Sequence, residues 1–171
     1  EEAQPHFELA KKLIASGQQE AALKELVWCW DEGKKDPEFS RTRSSVVGRE
    51  LGRLAREYPP ARDVMIARRN QARERALANK GGSFVIQDLI QLNRELKEDE
   101  DTLGVFDQIP ADDRRRVTIS IYLFDLLLEK KRYADALLFN QPETHLAEIE
   151  RARAQLRKGG EQSAMMLRYT L

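Results

Sequence analysis

Two stretches of this chain are built on one plan. Gly17-Gln-Gln-Glu-Ala-Ala-Leu-Lys-Glu-Leu26 and Lys131-Arg-Tyr-Ala-Asp-Ala-Leu-Leu-Phe-Asn140 each follow an apolar stripe of helical period, turn at a short polar corner, and restart a helix on a small residue followed by Leu. A chain that uses this device builds antiparallel helical hairpins. One hairpin cannot bury its own stripe, so hairpins stack and share a core. The 171 residues hold roughly four or five such pairs at about 34 residues each.

The 3.6-residue period and the cap signals extend the reading along the whole chain. Pro5 opens the first helix, with Phe7, Ala10, Leu13 and Ile14 inward and Gly17 at its end. The second runs from about Gln18 to Glu32, with Leu23, Leu26, Val27 and Trp30 on one face. Asp36-Pro37 starts the third, an acid at the cap and Pro where no amide hydrogen bond is lost; Phe39, Val46, Val47, Leu51, Leu54 and Tyr58 face inward. Pro59-Pro60 ends it, because Pro disfavours helix in the residue before it. The fourth helix has a thin stripe of Ala61, Met65, Ala72 and Ala76. At Lys80-Gly81-Gly82-Ser83, Gly suits a left-handed terminus and Ser83 an N-cap. Val85, Ile86, Leu89, Ile90, Asn93 and Leu96 mark the fifth helix, and Leu103, Phe106 and Ile109 the sixth.

Val117-Thr-Ile-Ser-Ile-Tyr-Leu-Phe124 alternates and is rich in β-branched residues, which favours a strand. No second strand candidate exists to pair with it, and Leu126, Leu127 and Leu128 prolong it past strand length. It is therefore expected to be helical, apolar on most sides, and the buried centre of the C-terminal half. Tyr133, Ala136, Leu137 and Phe139 follow on a short helix. Pro142 opens another, with Leu146, Ile149, Ala152 and Leu156 inward and Gly159-Gly160 at its end. The expected fold is all-α, about nine helices in stacked antiparallel hairpins. It forms one domain over residues 1–171, with 80–83 as the place where it could divide.

At these positions the chain resembles the tetratricopeptide repeat, a right-handed α-solenoid. The first unit supplies Leu9, Ala10, Leu13, Gly17, Ala22 and Leu23; the second supplies Leu123, Leu127, Tyr133, Ala136 and Leu137. Gln19 stands at the family's aromatic turn position, Phe124 at its small position and Lys131 at its Gly position. The Ala sits where two helices cross closely and only a small side chain fits. The resemblance implies a non-enzymatic scaffold that binds a peptide or partner protein in a groove lined by the first helix of each pair. Carried over, the groove residues are Phe7, Glu8 and Lys11, then Ile121, Tyr122, Asp125 and Glu129. The acids of the last unit argue against a carboxylate clamp there and for a basic or mixed partner.

Lys plus Arg equals Asp plus Glu at 29 each, so no global field draws the protein to nucleic acid or membrane. The balance is uneven along the chain. Residues 41–80 carry eleven basic and four acidic residues, an excess of +7, and residues 95–113 carry one basic and eight acidic, an excess of −7. Arg49, Arg53 and Arg56 share a helical face, and Arg62, Arg69 and Arg73 on the next helix could adjoin them. This basic face suggests a rival function, nucleic-acid or polyanion binding. It ranks second, because Glu50, Glu57, Asp63 and Glu74 interrupt the arginines and no aromatics interleave with them. Part of the charge is expected to be met internally, by those acids or by the run from Glu98 to Asp101.

Signals for chemistry are absent. The two histidines are His6, near the N-terminus, and His145, in a helical first turn; neither has a nucleophile and an orienting acid in a recognisable pattern. Cys29 lies between Trp28 and Trp30 on a helix and reads as a small buried thiol. Trp30 shares the core stripe, whereas Trp28 falls at its edge, on the next hairpin or in a contact surface. Asp99 opens like a calcium loop, but Leu103 and Pro110 occupy ligand positions five and twelve. No catalytic residue, metal or cofactor is assigned. One cysteine and no apolar run of spanning length fit a cytoplasmic protein away from membranes. The chain begins Glu-Glu-Ala, as a processed or trimmed chain would.

Overall fold

The computed structural model describes residues 2–139 and residue 150. Among them the regular elements are helices, with no strand: α1 (Ala3–Ala15), α2 (Gln19–Glu32), a 3-10 turn (Gly33–Lys35), α3 (Ser40–Ala55), α4 (Pro59–Leu77), α5 (Gly82–Leu96), α6 (Asp99–Gln108), α7 (Arg115–Tyr122), α8 (Phe124–Glu129) and α9 (Tyr133–Ala136). They fall into two compact units, residues 1–122 and 123–171. The expected helix at Pro142, the Gly159-Gly160 stop and His145 lie outside the described residues.

In the first unit each helix from α1 to α6 packs on the next, and α5 also receives α3 and α7. One apolar core runs through α1–α5, holding Phe7, Leu26, Trp30, Phe39, Leu51, Met65 and Leu92. In the second unit α8 packs on α9, with Leu127 and Ala136 fully buried. The 80–83 turn joins two helices packed within the first unit, and the chain divides after Tyr122.

Four helix ends close in the same way. Gly17, Asn79, Lys97 and Lys131 take left-handed backbone angles, φ 75°, 55°, 61° and 58°. In each case the next amide reaches back five residues: Gln18 to Leu13, Lys80 to Arg75, Glu98 to Asn93 and Arg132 to Leu127, at 2.8–2.9 Å. This arrangement satisfies carbonyls that the last helical turn leaves unpaired. Lys131 thus adopts the conformation that Gly17 adopts, although it stands where the repeat family places Gly. A side chain in this region costs about 1–2 kcal/mol. Lys97→Gly is therefore expected to raise stability by about 1 kcal/mol, read as a higher urea midpoint; a lowered midpoint would contradict the assignment. Ser83 does not cap α5: Gly81 precedes the helix at φ +93°, and no side chain bonds to the first-turn amides.

Asp36 ties two helix starts together. Its Oδ1 accepts the amides of Glu38 and Phe39 at 3.0 and 3.1 Å, and its Oδ2 accepts the Ala3 amide at 3.1 Å. The Phe39 and Ala3 donors hold its carboxyl below the usual carboxylate range. Regular α3 geometry begins at Ser40, a turn later than Asp36-Pro37 suggests, because residues 37–39 form a turn first.

Two close crossings position the helices. Ala22 is fully buried between α1 and α2, and Ala22→Leu is expected to overpack that crossing and cost about 1–3 kcal/mol; an unchanged denaturation midpoint would show that the crossing is loose. On α3, a Cβ at Gly48 would lie 2.7 Å from Gln91 Cγ, and one at Gly52 2.9 Å from Glu95 Cβ. Bare backbone at both positions lets α5 lie directly on α3.

The Val117 run is helical, as α7 and the start of α8, interrupted at Leu123. It is not the buried centre expected of it. Ile119, Ser120, Leu123 and Leu127 are buried, whereas Val117, Ile121 and Leu128 are exposed. The helical period places the β-branched residues on both faces, and burial covers one of them. Tyr133, Leu137 and Phe139 are likewise exposed.

Candidate functional site

The end of α2, the 3-10 turn, α3, α4 and α5 enclose a cavity of about 290 Å³. Its floor is Arg43, 2% exposed. The Arg43 guanidinium lies 4.6 Å over the Trp30 ring, donates to the Trp30 carbonyl at 2.9 Å, and donates to Asp88 Oδ1 at 2.5 Å. Ser44 Oγ donates to the same Asp88 oxygen at 2.5 Å. Arg43 Nε is buried without an acceptor. Burial pushes the Asp88 carboxyl above its ordinary value, although Arg43 and Ser44 both favour the ionised form. Across the cavity Arg68 grips Asp31 with two bonds, 3.2 and 2.6 Å. Lys34 and Arg75 also line it. Both wall carboxylates are thus already paired. The apolar wall is Trp30, Ala72, Val85 and Phe84, the last 52% exposed.

A second feature adjoins it on α5. Gln87, one turn beyond Phe84, donates to the Tyr122 hydroxyl of α7 at 2.5 Å. Tyr122 is 40% exposed and its neighbour Ile121 is 53% exposed. Val117, one turn earlier on α7, is also open. Phe84, Gln87 and Tyr122 therefore form a strip, and Ile121 and Val117, one turn apart, are exposed on another side of α7.

The expected groove residues separate. Phe7 is a core residue, edge-on to Phe39 at 5.9 Å, and is not available as a groove wall. Glu8 and Lys11 pair with each other at 3.2 Å, and the Lys11 ammonium lies 5.7 Å from the Phe7 ring centre. Ile121 and Tyr122 are exposed in the first unit; Asp125 and Glu129 are exposed on α8 of the second.

Much of the expected basic face is neutralised. Arg69, with a side chain only 12% exposed, donates to Asn93 at 2.9 Å, Glu98 at 2.6 Å and Asp101 at 3.3 Å. Arg73 reaches Asp101 at 2.9 Å and Arg62 reaches Glu98 at 3.4 Å. Asn93, fully buried, donates to Thr102 at 2.8 Å and completes the network. The acidic run from Glu98 to Asp101 thus meets the α4 arginines, as the charge pattern suggests. Arg53 lies 3.2 Å from Glu50; Arg49 on α3 and Arg56 just past its end are exposed.

The reactive residue types are embedded in packing. Cys29 is fully buried, its thiol pushed up to about 12 by burial, so it carries no nucleophilic thiolate at neutral pH. His6 stacks on Trp28 with ring centres 3.8 Å apart, and its Nδ1 lies 2.6 Å from Glu25 Oε2. It is a packed residue of the α1–α2 hairpin rather than a frayed one, and it accounts for Trp28 at the edge of the core stripe. Among the described residues no group of three or more His, Cys, Asp or Glu side chains could hold a metal ion, and no helix is long and apolar enough to cross a membrane.

Sequence reasoning missed the cavity because its floor is an arginine. Arg43 was one of eleven cations in a charged segment, with nothing to separate it from exposed neighbours. A signal does exist beside it: Ser44, Gly48 and Gly52 repeat every fourth residue and mark the face on which α5 lies. No known protein family, curated protein or solved structure matches the chain.

Proposed function

We propose that this chain is a non-enzymatic helical interaction module, of tetratricopeptide-like build, that receives a peptide or partner protein on the strip formed by α5 and α7. One observation carries the reading: Phe84 and Ile121, 52% and 53% exposed, stand open on helices whose other faces are packed. Clustered apolar exposure on packed elements marks a protein contact more often than a catalytic centre. The neutralisation of Arg62, Arg69 and Arg73 supports the same reading, since it leaves less free positive charge for a polyanion. A random-peptide display selection tests it. Selected sequences should bind the intact protein and lose that binding when Ile121 is replaced by Asp. A selection with no enrichment, or binders indifferent to Ile121→Asp, would refute the assigned surface.

A further inference from the structure

The Trp30–Phe84 cavity carries more positive charge than its own carboxylates use. Of its four cations, Arg43 serves Asp88 and Arg68 serves Asp31. Lys34 and Arg75 form no ion pair among the described residues, although the Lys34 charge still favours the ionised forms of Asp88 and Glu32, and both line the cavity. The structure also makes room for Arg75. A Cβ at Gly81 would lie 2.7 Å from its guanidinium nitrogen and 2.3 Å from Val85 Cγ2, so the Arg75 head lies across space that a side chain at position 81 would take. At the floor, Arg43 is committed to the Trp30 carbonyl and to Asp88. Beside these donors stands the half-open Phe84 ring, which belongs to the cavity and to the α5–α7 strip alike.

From these facts we infer that the cavity is the specificity subsite of the interaction surface, and that its occupant is an acidic side chain of a bound peptide, next in sequence to an apolar residue. The inference rests on the proposed interaction function and names its partner chemistry. An extended peptide laid along Ile121, Tyr122 and Phe84 ends its apolar contacts at the cavity mouth. The next side chain enters a space of about 290 Å³, near the lower limit of ligand pockets and suited to one side chain. A carboxylate there meets Lys34 and Arg75 in partly desolvated surroundings, where charged hydrogen bonds are stronger than on open surface. A carboxamide of the same shape lacks the charge and gains little.

The two tryptophans give a built-in control. Trp30 lines the cavity, whereas Trp28 stacks on His6 of α1. The intact protein is titrated with the capped peptide acetyl-Phe-Glu-Leu-Glu-Phe-amide and with its Gln counterpart, following the two indole N–H signals by NMR. The expected result is a shift of the Trp30 signal alone, with the Glu peptide binding at least about tenfold tighter than the Gln peptide. Lys34→Glu and Arg75→Glu should each weaken the Glu peptide by about the same factor. Lys12→Glu, an exposed cation at the far end of α1, should leave it unchanged. Equal binding of the two peptides, a stationary Trp30 signal, or no binding at millimolar peptide would each overturn the inference. Display-selected peptides that depend on Ile121 but survive both charge reversals would overturn the subsite alone and leave the interaction surface standing. Loss of both dependences would remove the interaction surface as well.

Discussion

Arg43→Met is expected to lower the stability of the first unit by about 3 kcal/mol, because it leaves the partly buried Asp88 carboxylate, its side chain 19% exposed, with only the more distant Lys34 charge. Asp88 would keep only the Ser44 hydroxyl as a donor. Arg43 also stacks on Trp30 and bonds its carbonyl, so the change removes packing and leaves a carbonyl unpaired as well. The loss has a predictable pH dependence. Burial already raises the Asp88 carboxyl above its ordinary value, and Arg43 is among the groups that lower it; without Arg43 the folded-state value rises further. A carboxyl whose folded value lies above its unfolded value destabilises the fold when ionised, and the penalty fades as pH falls through the raised value. The deficit of the variant should therefore be largest near about pH 7 and smaller near about pH 4.5. Arg43→Met combined with Asp88→Leu should recover most of the loss, since a buried ion pair can be exchanged for apolar side chains at little cost. Urea midpoints for the two variants at both pH values check this. A single variant as stable as the parent would show that the pair is solvated.

Phe106→Ala is expected to cost about 3–5 kcal/mol. The ring is fully buried, and the Arg116 guanidinium of α7 lies 4.0 Å over it. The same Arg116 donates to the carbonyls of Phe106 and Ile109, both at 3.0 Å. One side chain thus closes the end of α6 and fixes α7 against it, and the phenyl ring is the surface on which that guanidinium rests. Removing the ring opens a cavity and takes away the face on which the Arg116 guanidinium rests, so hydrogen exchange should accelerate in α6 and α7 more than in α1 and α2. Phe106→Leu, which keeps most of the volume, should cost about 1.5 kcal/mol or less. A loss of under about 1 kcal/mol for the Ala variant would mean that the site collapses without penalty.

The parts of the fold legible in the sequence were those governed by local rules. Pro59-Pro60 stopped and restarted a helix because the restriction acts on adjacent residues. The stripe of Val85, Ile86, Leu89 and Ile90 read as one face because burial has the helical period. The helical state of the Val117 run followed from the lack of any partner strand. Its burial did not follow, because covering a helix face depends on what packs there, and Val117 and Ile121 remain open. The Lys131 corner looked like a departure from the repeat pattern, yet the backbone takes the same left-handed turn there as at Gly17; a lysine can adopt it, at a cost that sequence does not display. The candidate site was legible only at Ile121 and Tyr122. The cavity depends on tertiary pairing of Arg43 with Asp88 and of Arg68 with Asp31, across 45 and 37 residues, and no local pattern encodes which cations become buried. The same holds for Arg69, assigned to a basic face and found inside a carboxylate network.

Most arginines of α3 and α4 are held by carboxylates of the fold, and the proposed surface is one for protein rather than nucleic acid. A binding titration with duplex and single-stranded nucleic acid at roughly 50 and 200 mM salt tests it most directly, since phosphate-dominated affinity collapses over that range. No micromolar binding is expected at either salt concentration, with Arg62, Arg69 and Arg73 held by Glu98 and Asp101. Micromolar or tighter binding at the lower salt, weakened at the higher and abolished by reversing Arg49, Arg53 and Arg56 to Glu, would contradict it.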